Sequence, residues 1–320
     1  MTPTACARET VVLLCGIATE APLAMVADAL AAQGHPFVVF NQRHVADADC
    51  QFEIAAGTVS GELRVGRRAA SLERIGGVYW RLMDDRQLPE YMALPDGSPE
   101  RRHCRAMHDA LAGWIGLTPA RVVNPAASMG SNGSKPYQAQ LIARHGFPVP
   151  ETIVTNDPDR VRDFRTRHRR VIYKSASGQR SIVRMLTDED VERIDRIRWC
   201  PTQFQAHVAG TDVRVHVVDR EVFATEIVSD ATDYRYASRE GGTIDLRAID
   251  LDDDVASRCV ALARDLALPF AGIDLRRTAD GAWVCFEVNP SPGFSFYESQ
   301  TGQPIAAAVA RYLALGPTGD

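Results

Sequence analysis

Two acidic side chains and an amide near the C-terminal end of the chain have the types and spacing to hold a hard cation. They lie in AGIDLRRTADGAWVCFEVNPSPGF, which runs from Ala271 to Phe294. Its apolar runs AGIDL and AWVCFEV flank Asp280-Gly281, a hairpin signal. A two-residue turn there sets Ala279 against Ala282, and counting back along both strands sets Asp274 opposite Glu287. Glu287 and Asn289 are two apart, so they share a strand face. Either acid alone reads as a solvated strand-end carboxylate. Together, Asp274, Glu287 and Asn289 offer oxygen ligands to a divalent cation that keeps its remaining positions for water and substrate phosphate.

Two lysines extend the pattern. Lys135 opens a helix and Lys174 ends a strand, each unremarkable alone; ahead of the hairpin they suggest two cations holding a polyphosphate. Lys174-Ser175-Ala176-Ser177-Gly178 would lay a loop over phosphates through backbone N–H groups. GxxxxGK[ST] is absent, so this is no Walker A motif. CPTQFQAHVAG (200–210) supplies an extended connection whose backbone could bond a purine; otherwise it is an ordinary inter-lobe strand. The five arginines between Arg162 and Arg170 read as a solvated helix face. The eight histidines form no HExxH, and no serine or cysteine has a base partner in sequence, so no covalent enzyme nucleophile is indicated.

The elements that must position these residues can be read from periodicity. VVLLC, APLAMVADALAAQG and PFVVF read as strand, helix and strand, a βαβ start without GxGxxG. Residues 50–75 carry short hairpin strands, GGVYWRL (76–82) a strand ending at Arg81, and 99–118 a helix. RVVNP closes this part, and the polar SMGSNGSKP is a linker. A helix runs from Lys135, with Pro136 in its first turn and Gly146 as its stop. VIYKSASGQRSIVRML reads as strand, loop, strand. DVRVHVV and EVFATEIV are successive strands, 229–242 a polar loop, and DDDVASRCVALARDLAL an amphipathic helix with acids at its N-terminus. A last helix begins near Pro304. The division is 1–125, 126–198 and 199–320, in an α/β chain of several lobes.

Composition bounds the rest. The 320 residues, 24% charged and 45% hydrophobic, describe a globular protein, and the net charge of −5 argues against nonspecific nucleic-acid binding. The seven cysteines are scattered without CxxC, and most sit in apolar runs as buried thiols of a reducing compartment. No apolar stretch is long enough to cross a bilayer and no signal peptide is visible, so the expected setting is cytoplasmic, with no membrane partner.

With these residues in hand, the sequence resembles the ATP-grasp superfamily over nearly its whole length. Within it the chain is similar to the RimK-related ligases that macrocyclise ribosomal peptides, the microviridin-type or graspetide ligases. The resemblance rests on NP at 124–125, SKPYQAQLIARHGFPVPETIVTN, VIYK, PTQFQAHV, GTDVRV, VFATEI, TDYR, GIDLR and FEVNPSPGFSFYESQTGQPI. It implies an N-terminal pre-ATP-grasp domain and two lobes clasping ATP. Lys135 and Lys174 would contact phosphates, and Gln205, Ala206, His207 and Val208 would line the adenine hinge. Asp212 would meet the ribose edge. Arg214 would stabilise the transferring phosphate, acting with Lys174, while Asp274, Glu287 and Asn289 would hold Mg²⁺, two ions in all. Arg81, Arg235 and Glu298 are candidates for substrate contact. The hinge departs from the usual QE-aromatic pattern, and Phe294-Ser295-Phe296-Tyr297 replaces a tryptophan-rich stretch. The implied activity is ATP-dependent ligation through an acyl phosphate, linking side chains of a precursor peptide with a leader segment. The alternative is a glutathione-synthetase-like small-molecule or amino-acid ligase. A homodimer is compatible with either.

Overall fold

The computed structural model describes residues 10–130, 135–175, 183–229 and 244–317. The expected βαβ start consists of β1 (Val11–Gly16), α1 (Ala21–Ala32) and β2 (Phe37–Asn41). β3 (Ala48–Ala55), β4 (Thr58–Val65) and β5 (Arg68–Ser71) form a separate antiparallel sheet. β6 (Ile75–Trp80), α2 (Pro89–Met92), α3 (Pro99–Ile115) and β7 (Arg121–Val123) complete a parallel sheet of order β2-β1-β6-β7. Ser98 caps α3, its Oγ accepting the Arg101 N–H at 3.1 Å, with Pro99 in the first turn.

α4 (Ala126–Met129) and α5 (Lys135–Arg144) lead into the small lobe. That lobe holds β8 (Thr152–Thr155), α6 (Pro158–His168), β9 (Val171–Ser175), β10 (Arg184–Met185), α7 (Asp188–Glu192) and β11 (Thr202–Ala206). Its sheet, in the order β10-β9-β11-β8, packs Val171 and Phe204 with Val161 and Phe164 of α6 in a core of its own. Arg162, Arg165 and Arg167 of α6 pair with Asp159, Asp188 and Glu151, as a solvated basic face should.

The large lobe comprises β12 (Thr211–Val218), β13 (Glu221–Ser229), β14 (Ile244–Ile249), α8 (Asp253–Asp265), β15 (Phe270–Arg277), β16 (Trp283–Asn289), α9 (Ser295–Thr301) and α10 (Ile305–Leu315). The sheet runs β14-β13-β12-β15-β16, antiparallel throughout. Val213, Val215 and Val217 of β12, with Ala271, Ile273 and Leu275 of β15, pack against Val255, Cys259 and Leu262 of α8. Period two leaves Asp212, Arg214 and His216 on the opposite face.

Packing departs from the sequence-based division in two places. Ile142 of α5 and Phe147 join the large-lobe core, so the small lobe's own core begins at β8 rather than at 126. Val309 and Leu313 of α10 pack with Val12, Leu23 and Val26, so the N-terminal sheet shares a core with the chain's last helix. Several short elements were not anticipated, among them α2, α4, α7, β14 and α9: β14 lies beside a polar loop, and α9 is a short aromatic segment without a helical stripe. Cys15, Cys104, Cys259 and Cys285 are buried as expected, but Cys200 is exposed. Among the described residues no helix is long and apolar enough to cross a membrane.

Candidate active site

Asp274 pairs directly with Glu287 across β15 and β16, the register expected from sequence. The turn is not the expected one. Thr278 pairs with Ala282, and Gly281 sits at φ +85°, a three-residue loop in which glycine meets the left-handed position without strain. That shifts the register by one residue. A bulge at Phe286 shifts it back: Leu275 faces Cys285, and the next pair is Asp274 with Glu287. The bulge also turns Glu287 and Asn289 to the face of Asp274 while Cys285 and Val288 stay in the core.

A row of charge crosses this face. Arg214 Nη1 donates to Asp274 Oδ1 at 2.6 Å, and Lys135 Nζ lies 3.9 Å from Glu287 Oε2. Arg214 is only 5% exposed, its guanidinium 6.0 Å from the Tyr297 ring of α9. A Cβ at Gly272 would overlap Arg214 Nη2, so only glycine lets the guanidinium lie across β15. Asn289 pairs across strands with Gly272, and its Oδ1 accepts the Ser291 N–H at 2.9 Å, which holds the amide at the strand end. Burial, with Cys259, Asp274 and Glu287 nearby, pushes the Cys285 thiol well up, so it stays protonated and inert beneath the carboxylates.

Three residues position this row, none of which was assigned a role from sequence. Gln138 of α5 donates to the Val288 carbonyl at 2.7 Å and accepts the Val288 N–H at 2.9 Å, acting as a surrogate strand on the open edge of β16. This clamp sets Lys135, one turn earlier, beside Glu287. Asn124, buried, accepts the Phe270 N–H at 3.0 Å and donates to the Phe270 and Pro290 carbonyls, holding the start of β15 and the end of β16 together. Gln303 donates to the Ala224 carbonyl at 3.0 Å and accepts from Thr225 Oγ1 at 2.9 Å, on the strand neighbouring Arg214. Gln138, Asn124 and Gln303 all lie in sequence blocks that carry the family resemblance, but a side-chain amide that bonds distant backbone leaves no periodic signal.

In the small lobe, Lys174 pairs with Gln203, and Ile172 with Gln205, on the sheet face opposite the Phe204 core. Gln205 is buried and donates to Thr152 Oγ1 at 3.0 Å, while its Oε1 has no hydrogen-bond partner among the described residues. The hinge backbone is less open than sequence suggested. The Ala206 N–H donates to Glu151 O at 2.9 Å and the His207 N–H to Arg170 O at 3.0 Å. Both donors are therefore committed within the fold, and the Val208 N–H has no acceptor among the described residues. Burial, with Arg170 and Arg276 nearby, pushes the His207 imidazole down. Asp212 takes Arg276 at 2.7 Å.

The substrate candidates fare unevenly. Arg81 Nε donates to Glu20 Oε2 at 3.0 Å, and its Nη1 lies 3.5 Å from Ser291 Oγ and the Pro292 carbonyl, beside the site but braced within it. Glu298 accepts the Ala306 N–H at 2.8 Å and so caps α10, a structural task that its sequence context did not suggest. Arg235 and the TDYR loop lie outside the described residues, as does most of the loop after Lys174.

The set fits Mg²⁺ and a nucleotide by its chemistry: two carboxylates and an amide oxygen, flanked by Lys135 and Arg214, and an orphaned amide oxygen at the hinge able to accept a base N–H. Comparison with known proteins bears on the family and the fold. A RimK-like ATP-grasp domain matches residues 133–313. A probable alpha-L-glutamate ligase of Rhodopirellula baltica is 29% identical over 203 residues, covering 60% of this chain and 49% of that protein. A ribosomal protein bS6–L-glutamate ligase of Salmonella paratyphi B is 31% identical over 188 residues, covering 54% and 61%. The chain thus spans about half to two thirds of the length of the curated relatives it matches. Among solved structures, macrocyclase MdnC of Microcystis aeruginosa, bound with precursor peptide MdnA, superposes with a TM-score of 0.78 at 21% identity, covering 95% of this chain and 99% of that one. The ATP-grasp ligase PsnB, complexed with a minimal precursor, gives 0.75 at 26% identity, covering 95% and 98%. The chain belongs to the RimK-like ATP-grasp family.

Proposed function

We propose that this chain is an ATP-dependent ligase that joins side chains of a ribosomally made precursor peptide as esters or amides. The observation that carries the reading is the Asp274–Glu287 pair with Asn289, set between Lys135 and Arg214. A carboxylate will not acylate an amine or hydroxyl near neutral pH, because oxide is a poor leaving group. Activation fits the residues present. A substrate carboxylate oxygen attacks the γ-phosphorus of ATP, the bond to ADP breaks, and an acyl phosphate forms. The nucleophile's N or O then attacks the acyl carbon, inorganic phosphate leaves, and the nucleophile loses its proton. Lys135, Lys174 and Arg214 neutralise charge spread over the transferring oxygens. Asp274, Glu287 and Asn289 would hold Mg²⁺, two ions on this reading, whose charge would add to the neutralisation of the transferring phosphate. Gln205 Oε1 and the Val208 N–H would meet the adenine edge. Support for a peptide substrate comes from PsnB and MdnC, whose structures contain precursor peptides.

The curated relatives favour a second reading, addition of a free amino acid such as glutamate. The test is mass spectrometry of the chain with ATP, Mg²⁺ and the precursor peptide encoded beside its gene. Loss of one water, about 18 Da, per new bond is expected from the dehydrative acyl transfer. An unmodified peptide alongside ATP-driven joining of free glutamate replaces the first reading with the second.

A further inference from the structure

The small lobe's sheet ends at β8, and no strand pairs with its outer side among the described residues. The Ala206 N–H donates to Glu151 O, so Glu151, Ile153 and Thr155 turn their backbone groups toward β11. Alternation turns those of Thr152 and Val154 outward. Both residues are exposed. Val154 pairs with Gln203, and Gln203 with Lys174, so Val154 lies on the sheet face that carries Lys174. Beside the end of this edge is a 3₁₀ turn, Ile194–Trp199. Asn156 Nδ2 donates to the Arg198 carbonyl at 3.2 Å and ties the two together. Trp199 closes the turn 91% exposed, whereas Trp114 and Trp283 are buried and Trp80 is half-buried. Arg193 and Asp195 pair with Asp190 and Arg162; Arg196 and Arg198, both exposed, pair with no acid among the described residues.

Arginine beside an open edge commonly guards it against pairing, but a bare tryptophan defeats that purpose. An unpaired edge, an exposed aromatic ring and two unpaired cations together fit one kind of partner. It is an extended peptide that adds a strand to β8, with an apolar residue for Trp199 and acids for the arginines. We infer that β8 and Trp199 form a docking edge for an acidic segment of the ligase's peptide substrate, apart from the side chains that react. The inference rests on the peptide reading of the proposed function. Charge argues for this occupant. The ligation consumes carboxylates, so its peptide carries acids; the chain's net charge of −5 repels such a peptide, and unpaired arginines are what would hold it. Size argues against a second folded chain: a short edge and one ring fall well short of the roughly 1,200 Å² that stable protein pairs bury. A segment held at β8 keeps the rest of the peptide near the cleft at raised effective concentration.

The test uses the full chain and the precursor peptide encoded beside its gene, read in two ways. In hydrogen-exchange mass spectrometry, the backbone amides of residues 152–155 are expected to gain protection when the peptide binds. In fluorescence anisotropy with the dye-labelled peptide, Trp199→Ser, the double variant Arg196→Glu/Arg198→Glu and Val154→Pro are each expected to weaken binding by about tenfold or more. Proline at 154 deletes only an outward N–H, which an edge strand tolerates. All three should bind ADP with Mg²⁺ within about twofold of wild type, as changes remote from a site act independently of it. If Val154→Pro does not fold, the two surface variants decide. Wild-type affinity in both of those overturns the inference, and so does a bound peptide that leaves 152–155 unprotected. Protection that appears without peptide and rises with protein concentration overturns it in favour of a second copy. Tighter binding of poly(U) RNA than of the peptide, lost in Trp199→Ser, overturns it in favour of a nucleic acid. A peptide that docks with the expected pattern yet is never dehydrated upholds the inference and defeats the proposed function. A peptide dehydrated by wild type and bound equally by every variant defeats only the inference.

Discussion

At the scale of single residues, Gly272 makes a sharper test of the site than any ligand. Its missing side chain is the space that Arg214 occupies, and the nearest atoms are Arg214 Nη2 and Cζ and Pro292 Cβ. Gly272→Ala must displace either the guanidinium or the NPSP turn. We expect the fold to survive and ATP turnover to fall by about a hundredfold, since misplacement by about 1 Å costs that much. Circular dichroism with steady-state kinetics checks both halves; wild-type turnover would refute the need for glycine at 272 to seat Arg214. Glu287→Ala and Lys174→Ala are likewise expected to stay folded and lose activity, because half-exposed polar side chains on a cleft face carry little packing. The Asp274–Glu287–Asn289 set was legible because a strand's period of two is rigid. Its register was legible for an accidental reason: a turn one residue longer than expected and a bulge at Phe286 cancel. Neither has a side-chain pattern that reads from sequence.

At the scale of elements, β12 was the most transparent part of the chain, with valines at 213, 215 and 217 alternating with Asp212, Arg214 and His216. The alternation does not disclose that His216 is completely buried, edge-on to Tyr297 at 5.0 Å, with no hydrogen-bond partner for either ring nitrogen among the described residues. Burial foremost, with Arg214 adjacent, pushes the His216 imidazole well below its ordinary 6.5, against a smaller opposing effect of the Gly293 backbone. The unfolded chain therefore binds a proton below pH 6.5 that the folded chain refuses. The neutral ring's contribution is full above that pH and declines as pH falls, by at most about 1.4 kcal/mol per pH unit. Thermal melts across the acid range should show His216→Phe losing less stability than wild type; parallel slopes would refute the assignment. Gln138 is the element-scale residue that sequence hid. Gln138→Leu leaves the Val288 N–H and carbonyl unpaired, which should cost about 2–3 kcal/mol. It should also weaken Mg²⁺-dependent nucleotide binding, because Lys135 loses its seat beside Glu287.

At the scale of the whole molecule, composition offered SMGSNGSKP as a linker, of which residues 131–134 lie outside the described ones, but it did not disclose the allegiance of the helices that follow. SMGSNGSKP marks a break, yet α5 on its far side packs on the large lobe, and α10 packs back onto the N-terminal sheet. A linker's polarity says where the chain is free to turn, not which core receives the next apolar stripe. We therefore expect two mechanical units, the small lobe and the rest. The N-terminal sheet and the large lobe share Val12, Leu23 and Val123 with Phe270, Phe294 and Val309 in one core, riveted by Asn124. The small lobe has a separate core of Val161, Phe164, Val171, Leu186, Ile194 and Phe204. Units with separate cores unfold separately unless something bridges them. Calorimetry of the full chain should therefore show two transitions, the lesser from the small lobe. On the proposed reading, a nucleotide bound with Mg²⁺ touches Lys174 and Gln205 on one unit and Lys135 and Glu287 on the other. ADP at about a hundred times its dissociation constant should add about 2.7 kcal/mol to whichever opening releases it. The small-lobe transition should rise toward the other and merge with it in wild type, and much less in Lys174→Ala. A single transition without ligand, or a small-lobe transition that ADP and Mg²⁺ leave in place, would refute this two-unit account.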